Sequence, residues 1–248
     1  MPRTKKQTTR IALLADVHGN LPALEAVLAD AQVRTYDQVW HLGDFLGYVP
    51  FPNEVIDVLR ALPALCVIGN YDRKVLAFSQ KQAQWKKSKA RIKYQAFKWN
   101  AAHLGARQRK YLSQLPERLE RKVGGQRIVL NHGSPESLKE HLTSNTPTDR
   151  LRQLAATVGA DIIVCGHSHE SFKRRVANTW FINPGSVGRP EGDDARASYC
   201  LLEIGPGLLH MQRRRVVYDV ARAGRAIHAA GLHRKLYEAL CEGRAART

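Results

Sequence analysis

Short apolar runs, each closed by a polar residue, alternate with helical repeats over the first seventy positions. Residues 11–15 are continuously apolar and stop at Asp16, the pattern of a strand buried on both faces. Beyond the loop at 17–20, Pro22 stands where a first helical turn tolerates proline. Leu24, Val27, Leu28 and Ala31 then recur at helical spacing. Residues 39–42 predict a second strand, ending at Gly43-Asp44. A loop with Gly47, Pro50 and Pro52 follows, and Val55, Val58, Leu59 and Leu62 mark a second helix. Residues 65–68 predict a third strand, ending at Gly69-Asn70. Three strand–loop–helix units in a row predict a largely parallel sheet with helices packed on it.

Residues 75–115 break this rhythm. They are rich in Lys, Gln, Ala and aromatics, and predict two helices divided near Gly105. Residues 128–130 resume the sheet and end at Asn131-His132. Residues 149–158 predict a helix, and 162–165 a strand leading to Gly166-His167. Val176 and residues 180–182 flank a hairpin turn at Ala177-Asn178. Residues 199–204 and 208–217 pair across Gly205-Pro206-Gly207, and 222–242 read as one closing helix. With no internal repeat and no long linker, one domain spanning 1–248 is expected. On it, 73–127 forms a basic, mostly helical insertion or cap.

Composition adds two points. The apolar share is 44%, ordinary for a folded domain, yet no apolar run approaches the ~20 residues that cross a bilayer, so no membrane partner is expected. Residues 1–10 are basic and polar, without the apolar stretch of an export signal, and read as a flexible tail. The four cysteines form no close pair, and Cys66, Cys165 and Cys200 sit in apolar runs. Reduced, structural thiols in a cytoplasmic protein are the expectation.

Charge changes the picture more. The formal net charge is +17, and residues 73–127 hold 16 Lys or Arg against only Glu117 and Glu120. So concentrated a field attracts polyanions, nucleic acid included, although a solvated helical face has the same composition. Trp85, Tyr94, Phe97 and Trp99 lie among these cations. Such rings can stack bases, but the core face of a helix explains them better.

The candidate chemistry sits at the strand ends. Asp16-Val17-His18, Gly43-Asp44, Gly69-Asn70, Asn131-His132 and Gly166-His167-Ser168-His169 each follow a predicted strand. Any one of them could be a capping or turn residue. Five at the same edge of a sheet point to a shared metal site, because loops there converge on one crevice. Imidazole and carboxylate suit divalent Mn, Fe, Co, Ni or Zn, and a carboxylate can bridge two ions. Two ions ~3.5–4 Å apart would clamp a phosphate and lower the pKa of a water. The lack of a cysteine ligand argues against a structural zinc.

In order along the chain these motifs resemble the calcineurin-like metallophosphoesterase family, whose pattern runs D-x-H, G-D, G-N-H-[DE], a histidine before glycine, and G-H-x-H. Gly47-Tyr48 and residues 182–186 resemble the small bacterial and archaeal phosphodiesterase-like subgroup. The resemblance implies an α/β fold, a four-layer αββα sandwich of two mixed sheets. It implies two divalent transition-metal ions, manganese favoured. Asp16, His18, Asp44 and His169 would hold one, and Asp44, Asn70, His132 and His167 the other, with Asp44 as the bridge. Asn70, Tyr71, Asp72 and His132 would be catalytic, and Asn70, Tyr71 and Arg73 would contact substrate. Gly43, Gly69 and Gly166 would leave room for backbone beside the ions. Residues 183–186 would form a loop near the site, more simply read as a structural turn.

One position departs from the family pattern. Tyr71 stands where phosphomonoesterases of the family usually carry a histidine that assists phosphate binding and leaving-group protonation. A phosphodiesterase acting on a small molecule or nucleotide is therefore favoured. A nuclease and a general phosphatase are the enzymatic alternatives. A protein-binding scaffold of the same fold, like the retromer subunit that resembles this family, is disfavoured because all seven ligand positions are filled.

Overall fold

The computed structural model describes residues 8–190, 192 and 194–243. The chain begins with three strand–helix units. They are β1 (Thr9–Leu14) with α1 (Leu21–Val33), β2 (Gln38–His41) with α2 (Pro52–Arg60), and β3 (Ala64–Cys66) with α3 (Asn70–Leu76). Three further helices follow: α4 (Phe78–Ser88), α5 (Arg91–His103) and α6 (Ala106–Gln114). The chain continues as β4 (Arg118–Val123), β5 (Gln126–Asn131), α7 (Thr148–Val158), β6 (Ile162–Val164), β7 (Phe172–Val176), β8 (Thr179–Asn183), β9 (Ala197–Gly205) and β10 (Leu208–Val216). It closes with α8 (Val220–Ala229) and α9 (Lys235–Glu242).

The strands form two mixed five-stranded sheets, ordered β10-β9-β1-β2-β3 and β4-β5-β6-β8-β7. In the first, β1, β2 and β3 run parallel, as their helical crossovers require, and β9 and β10 add antiparallel strands at one side. In the second, β5, β6 and β8 are parallel between antiparallel edges.

The period-two alternation of β1 explains its unbroken hydrophobicity. Ile11 and Leu13 point between the sheets, where they meet Trp40, Ile128, Ile162, Val164, Cys200 and Leu202. Ala12 and Leu14 point outward beneath Leu24, Val27, Ile56 and Ile227 of the helices. On the far side Leu151, Leu154 and Val158 of α7 cover Val129, Ile163 and Phe181. Both sheets thus have a helical cover, giving four layers, αββα. A strand buried on both faces must read as continuously apolar.

Several boundaries differ from the sequence reading. Thr9 and Arg10 pair with Ile204 and Glu203, so the ladder of β1 starts inside the expected tail, whose residues 1–7 lie outside the described chain. The stretch predicted as two helices is divided at Ala77, at 89–90 and at 104–105, because Lys89 and Leu104 leave helical geometry at φ −106° and −69° with extended ψ. The insertion stops being helical at Gln114. Arg118–Val123 is a strand that apolar periodicity does not betray, since as the edge of its sheet it exposes most of its charged side chains. The single closing helix is two helices, divided at Gly231, which adopts φ +64°. All four cysteines are free; Cys66, Cys165 and Cys200 are buried and Cys241 is exposed. No helix of the described residues is long and apolar enough to cross a membrane.

Candidate metal centre

Strand-end loops of both sheets bring the predicted ligands together. Two groups form, Asp16 with His18 and His169, and Asp44 with His132 and His167, each with its ligand atoms within 4.8 Å of one another. This division is the one the family resemblance implies. Asp44 Oδ2 lies between the groups, 3.8 Å from His18 Nε2 and 3.5 Å from His132 Nε2. Asn70 Nδ2 lies 3.3 Å from His167 Nδ1, which adds the fourth expected side chain to the second group.

The backbone is bent to achieve this. Asp16, His18, Asp44, His167 and His169 all have φ between +51° and +64°, and among the described residues only Thr35 and Ala177 are other non-glycines at positive φ. Non-glycine residues rarely adopt this region, and its cost of roughly 1–3 kcal/mol each is typically retained at functional sites. Glycine beside the ligands serves loop crossing. A Cβ at Gly43 would lie 2.6 Å from Gly69 N, and one at Gly69 would lie 2.1 Å from Asp44 N. The space each glycine leaves is taken by the backbone of the neighbouring ligand loop.

Backbone carbonyls fix the imidazoles. His18 Nδ1 is 3.2 Å from Leu46 O, His132 Nδ1 is 2.8 Å from Leu42 O, and His169 Nδ1 is 2.8 Å from Arg189 O. With Nδ1–H donating to a carbonyl, each ring turns a bare Nε2 inward. Burial draws His18, His132 and His167 below the ordinary imidazole pKa, His167 to about 3, so they are neutral and competent as ligands. His18 Nε2 and His169 Nε2 are 3.2 Å apart, an approach of two lone pairs that needs a cation to be favourable. Burial, and then the Asp72 and Asp16 carboxylates, push the Asp44 carboxyl well above its usual value. Asp16 Oδ1, Asn70 Oδ1 and His132 Nε2 are buried without a hydrogen-bond partner. Unpartnered donor atoms and crowded carboxylates both fit divalent metal.

The other predicted residues take different places. Asp72 is fully buried beneath the loops. Its Oδ2 accepts from Asp44 N and Gly69 N, and its Oδ1 from Leu46 N. Burial raises its pKa to about 6 against these amides. The Tyr71 ring stands 5.0 Å from the His18 ring, edge-on, and its hydroxyl makes a short hydrogen bond with Tyr48 Oη. Burial, and then Tyr48, raise the Tyr71 pKa well above its ordinary value. The Arg73 guanidinium pairs with Glu117 at 3.2 Å, so its charge is directed to β4. Residues 183–186 act as a brace: Asn183 Nδ2 donates to Gly166 O and Ser186 Oγ to Asp16 O.

Four neighbours escaped the sequence reading. Tyr48 joins Tyr71 to Arg189, whose Nη1 donates to Tyr48 Oη at 3.1 Å. His141 packs its ring 4.0 Å from that of His167. The Lys74 ammonium lies 4.6 Å from the centre of the Tyr71 ring. Of these, Tyr48 is marked in the sequence only as part of a subgroup resemblance, and Lys74 carries a signal because it follows Asn70 by four residues on a helix and so shares its face. The aromatics of residues 73–127 are engaged in packing contacts. Trp85, Tyr94 and Trp99 pack partly buried against the first core, and Phe97 is wholly buried in it.

A mixed-sheet αββα sandwich with histidine and aspartate at the converging loops defines a metal-dependent phosphoesterase scaffold. The family description "Calcineurin-like phosphoesterase superfamily domain" matches residues 9–207, and the chain belongs to that family. An uncharacterized protein of Methanocaldococcus jannaschii is 30% identical over 251 residues, covering 94% of this chain and 98% of the relative. The crystal structure of a metallophosphoesterase from Sphaerobacter thermophilus is 29% identical, with TM-score 0.78 over 96% of this chain and 100% of that one. A hypothetical protein from Pyrococcus horikoshii shares the fold, with TM-score 0.85, 23% identity, and 95% and 99% coverage. The family implies divalent metal ions, and the two ligand groups are where they would be held.

Proposed function

We propose that this protein is a dinuclear metal-dependent phosphoesterase that hydrolyses phosphodiester bonds of a small molecule or nucleotide. One observation carries the reading: the two ligand groups meet at Asp44 Oδ2, within 3.8 Å of His18 Nε2 and 3.5 Å of His132 Nε2. Divalent ions held there would neutralise phosphoryl oxygens and make a water acidic enough to attack near neutral pH. Asp16, His18, Asp44 and His169 would hold one, and Asp44, Asn70, His132 and His167 the other.

The remaining roles fall to groups around that centre. Asn70 stands beside His167, where its amide can reach a phosphoryl oxygen. Asp72 keeps the Asp44 and Asn70 loops in register through the backbone, so we assign it positioning in place of contact with substrate. Arg73 is engaged with Glu117 and we assign it no substrate contact.

The diester preference rests on Tyr71. A histidine near pKa 6.5 can protonate a departing alkoxide at neutral pH, while a tyrosine near 10 is a far weaker acid. Burial moves Tyr71 further from that role, and its hydroxyl is occupied by Tyr48. A diester with a good leaving group depends less on such a proton. The seven filled ligand positions disfavour a scaffold without catalysis. Packing of the cap aromatics removes the stacking support for a nuclease.

The test is a comparison of aryl diester and aryl monoester hydrolysis by metal-reconstituted protein, before and after chelation. Faster turnover of the diester, abolished by chelator and restored by metal, is expected. A protein faster on the monoester would return the reading to a general phosphatase.

A further inference from the structure

The concentrated charge of the cap has one local focus. Lys74 on α3 lies 5.8 Å from the Phe97 ring, and Lys89 at the α4–α5 junction lies 5.0 Å from the Trp85 ring, which is itself 6.0 Å from Phe97. Lys93 follows on α5, and Lys139 stands two residues before His141, whose ring meets that of His167 at 4.0 Å. The Lys74 ammonium feels the charge of the other three. They arise from separate elements, so the convergence is tertiary and does not follow from a basic helix. Its inner member, Lys74, sits over the Tyr71 ring at 4.6 Å and near Phe97 at 5.8 Å. Tyr71 in turn abuts His18, which places the cluster on the wall of the metal centre. Burial lowers the Lys74 pKa to about 8. Asp44 attracts its ammonium, while Lys89, Lys139 and Lys93 repel it.

Among the described residues none of the four lysines is ion-paired with a carboxylate. The nearby acids are already taken: Glu117 by Arg73, and Glu136 and Glu140 by Arg150. A surface that needed only solubility would intersperse the two signs. Cations gathered without counter-charge against a half-buried wall instead favour a bound anion.

We propose that Lys74, Lys89, Lys93 and Lys139 form an anion subsite beside the metal centre that receives a second phosphate group, so that the preferred substrate is a small phosphoester bearing at least two phosphates, such as a nucleoside polyphosphate. The proposal rests on the metallophosphoesterase reading and narrows its substrate class. One phosphate lies at the ligand groups and the next lies against the lysines. A small molecule is favoured over a nucleic-acid strand because Phe97 is buried in the core and Trp85, Tyr94 and Trp99 are packed against it.

The experiment is calorimetric titration of metal-loaded protein, metal content checked, with adenosine 5′-diphosphate and adenosine 5′-monophosphate. The diphosphate should bind about tenfold or more tightly, as charge-assisted hydrogen bonds to one further phosphate require. Lys89→Gln/Lys93→Gln should abolish that advantage, because each charge-assisted hydrogen bond lost is worth about tenfold or more. Lys86→Gln/Lys87→Gln removes equal charge from the exposed end of α4 and should preserve it. Equal affinity of wild type for the two nucleotides, or an equal effect of both double variants, overturns the subsite and leaves the metallophosphoesterase reading intact. A protein that takes up no divalent metal overturns both. Tighter binding of a single-stranded oligonucleotide than of the diphosphate, weakened alike by both variants, overturns the proposal in favour of a nucleic-acid track.

Discussion

Asp72 Oδ2 accepts a hydrogen bond from the backbone N–H of Asp44 at 3.0 Å, so a buried carboxylate holds the backbone of the residue set between the two ligand groups. The same oxygen takes the Gly69 amide at 2.9 Å, which ties the loop after β2 to the start of α3. Asp72→Asn keeps the shape but turns an N–H toward backbone donors. Such a change should cost about 1–3 kcal/mol of stability and weaken metal affinity about 10–100-fold. Metal titration of the folded variant checks this; unchanged affinity would show that the loops hold without it.

Tyr71→His should restore a group able to protonate a leaving oxygen near neutral pH. With metal content matched, the ratio of monoester to diester rates should rise by about 10²-fold, the lower end of general-acid assistance. Initial rates on an aryl monoester and an aryl diester measure it. A ratio that stays put would mean that Tyr71 does not set the preference.

The site was more legible in the sequence than the scaffold that supports it. Strand ends advertise themselves: Asp16 comes directly after an unbroken apolar run, and Asp44 and His167 stand one glycine past theirs, the run before Asp44 being interrupted by His41. The assignment of ligands to two groups came with the family resemblance, and the described residues hold two candidate triads, Asp16 with His18 and His169, and Asp44 with His132 and His167. What escaped lies in tertiary contacts. Arg189 reaches Tyr48 from 141 positions away, and no local pattern encodes that. Arg118–Val123 escaped because an edge strand can expose charge on both faces and lose its alternation. The division of the cap at 89–90 escaped because neither Lys89 nor Ala90 is a helix breaker; tertiary packing overrides their propensity.

A second carboxylate, on α1, contributes stability that is lost in acid. Asp30 on α1 accepts from Arg34, from the Tyr199 hydroxyl at 2.7 Å on β9, and from Arg214 on β10. Burial alone would raise its pKa, but these hydrogen bonds outweigh it and lower the value to about 2. A folded pKa below the unfolded one, near 3.9, means that the stabilisation is complete above about pH 4. It is lost as pH falls through about 2. Asp30→Asn should therefore lower Tm at pH 7 by about 2–4 °C, and the gap to wild type should close in acid. A gap of the same size at pH 2 and pH 7 would remove the carboxylate from this account.

The central claim, two ions sharing Asp44, is tested most directly by counting metal in wild type and in Asp44→Ala after identical reconstitution. Elemental analysis should find two divalent ions per wild-type chain. In the folded variant occupancy should fall at both positions, with hydrolysis abolished, because Asp44 Oδ2 faces ligands of both groups. Two ions retained in Asp44→Ala, or no more than one in wild type, would contradict the bridge.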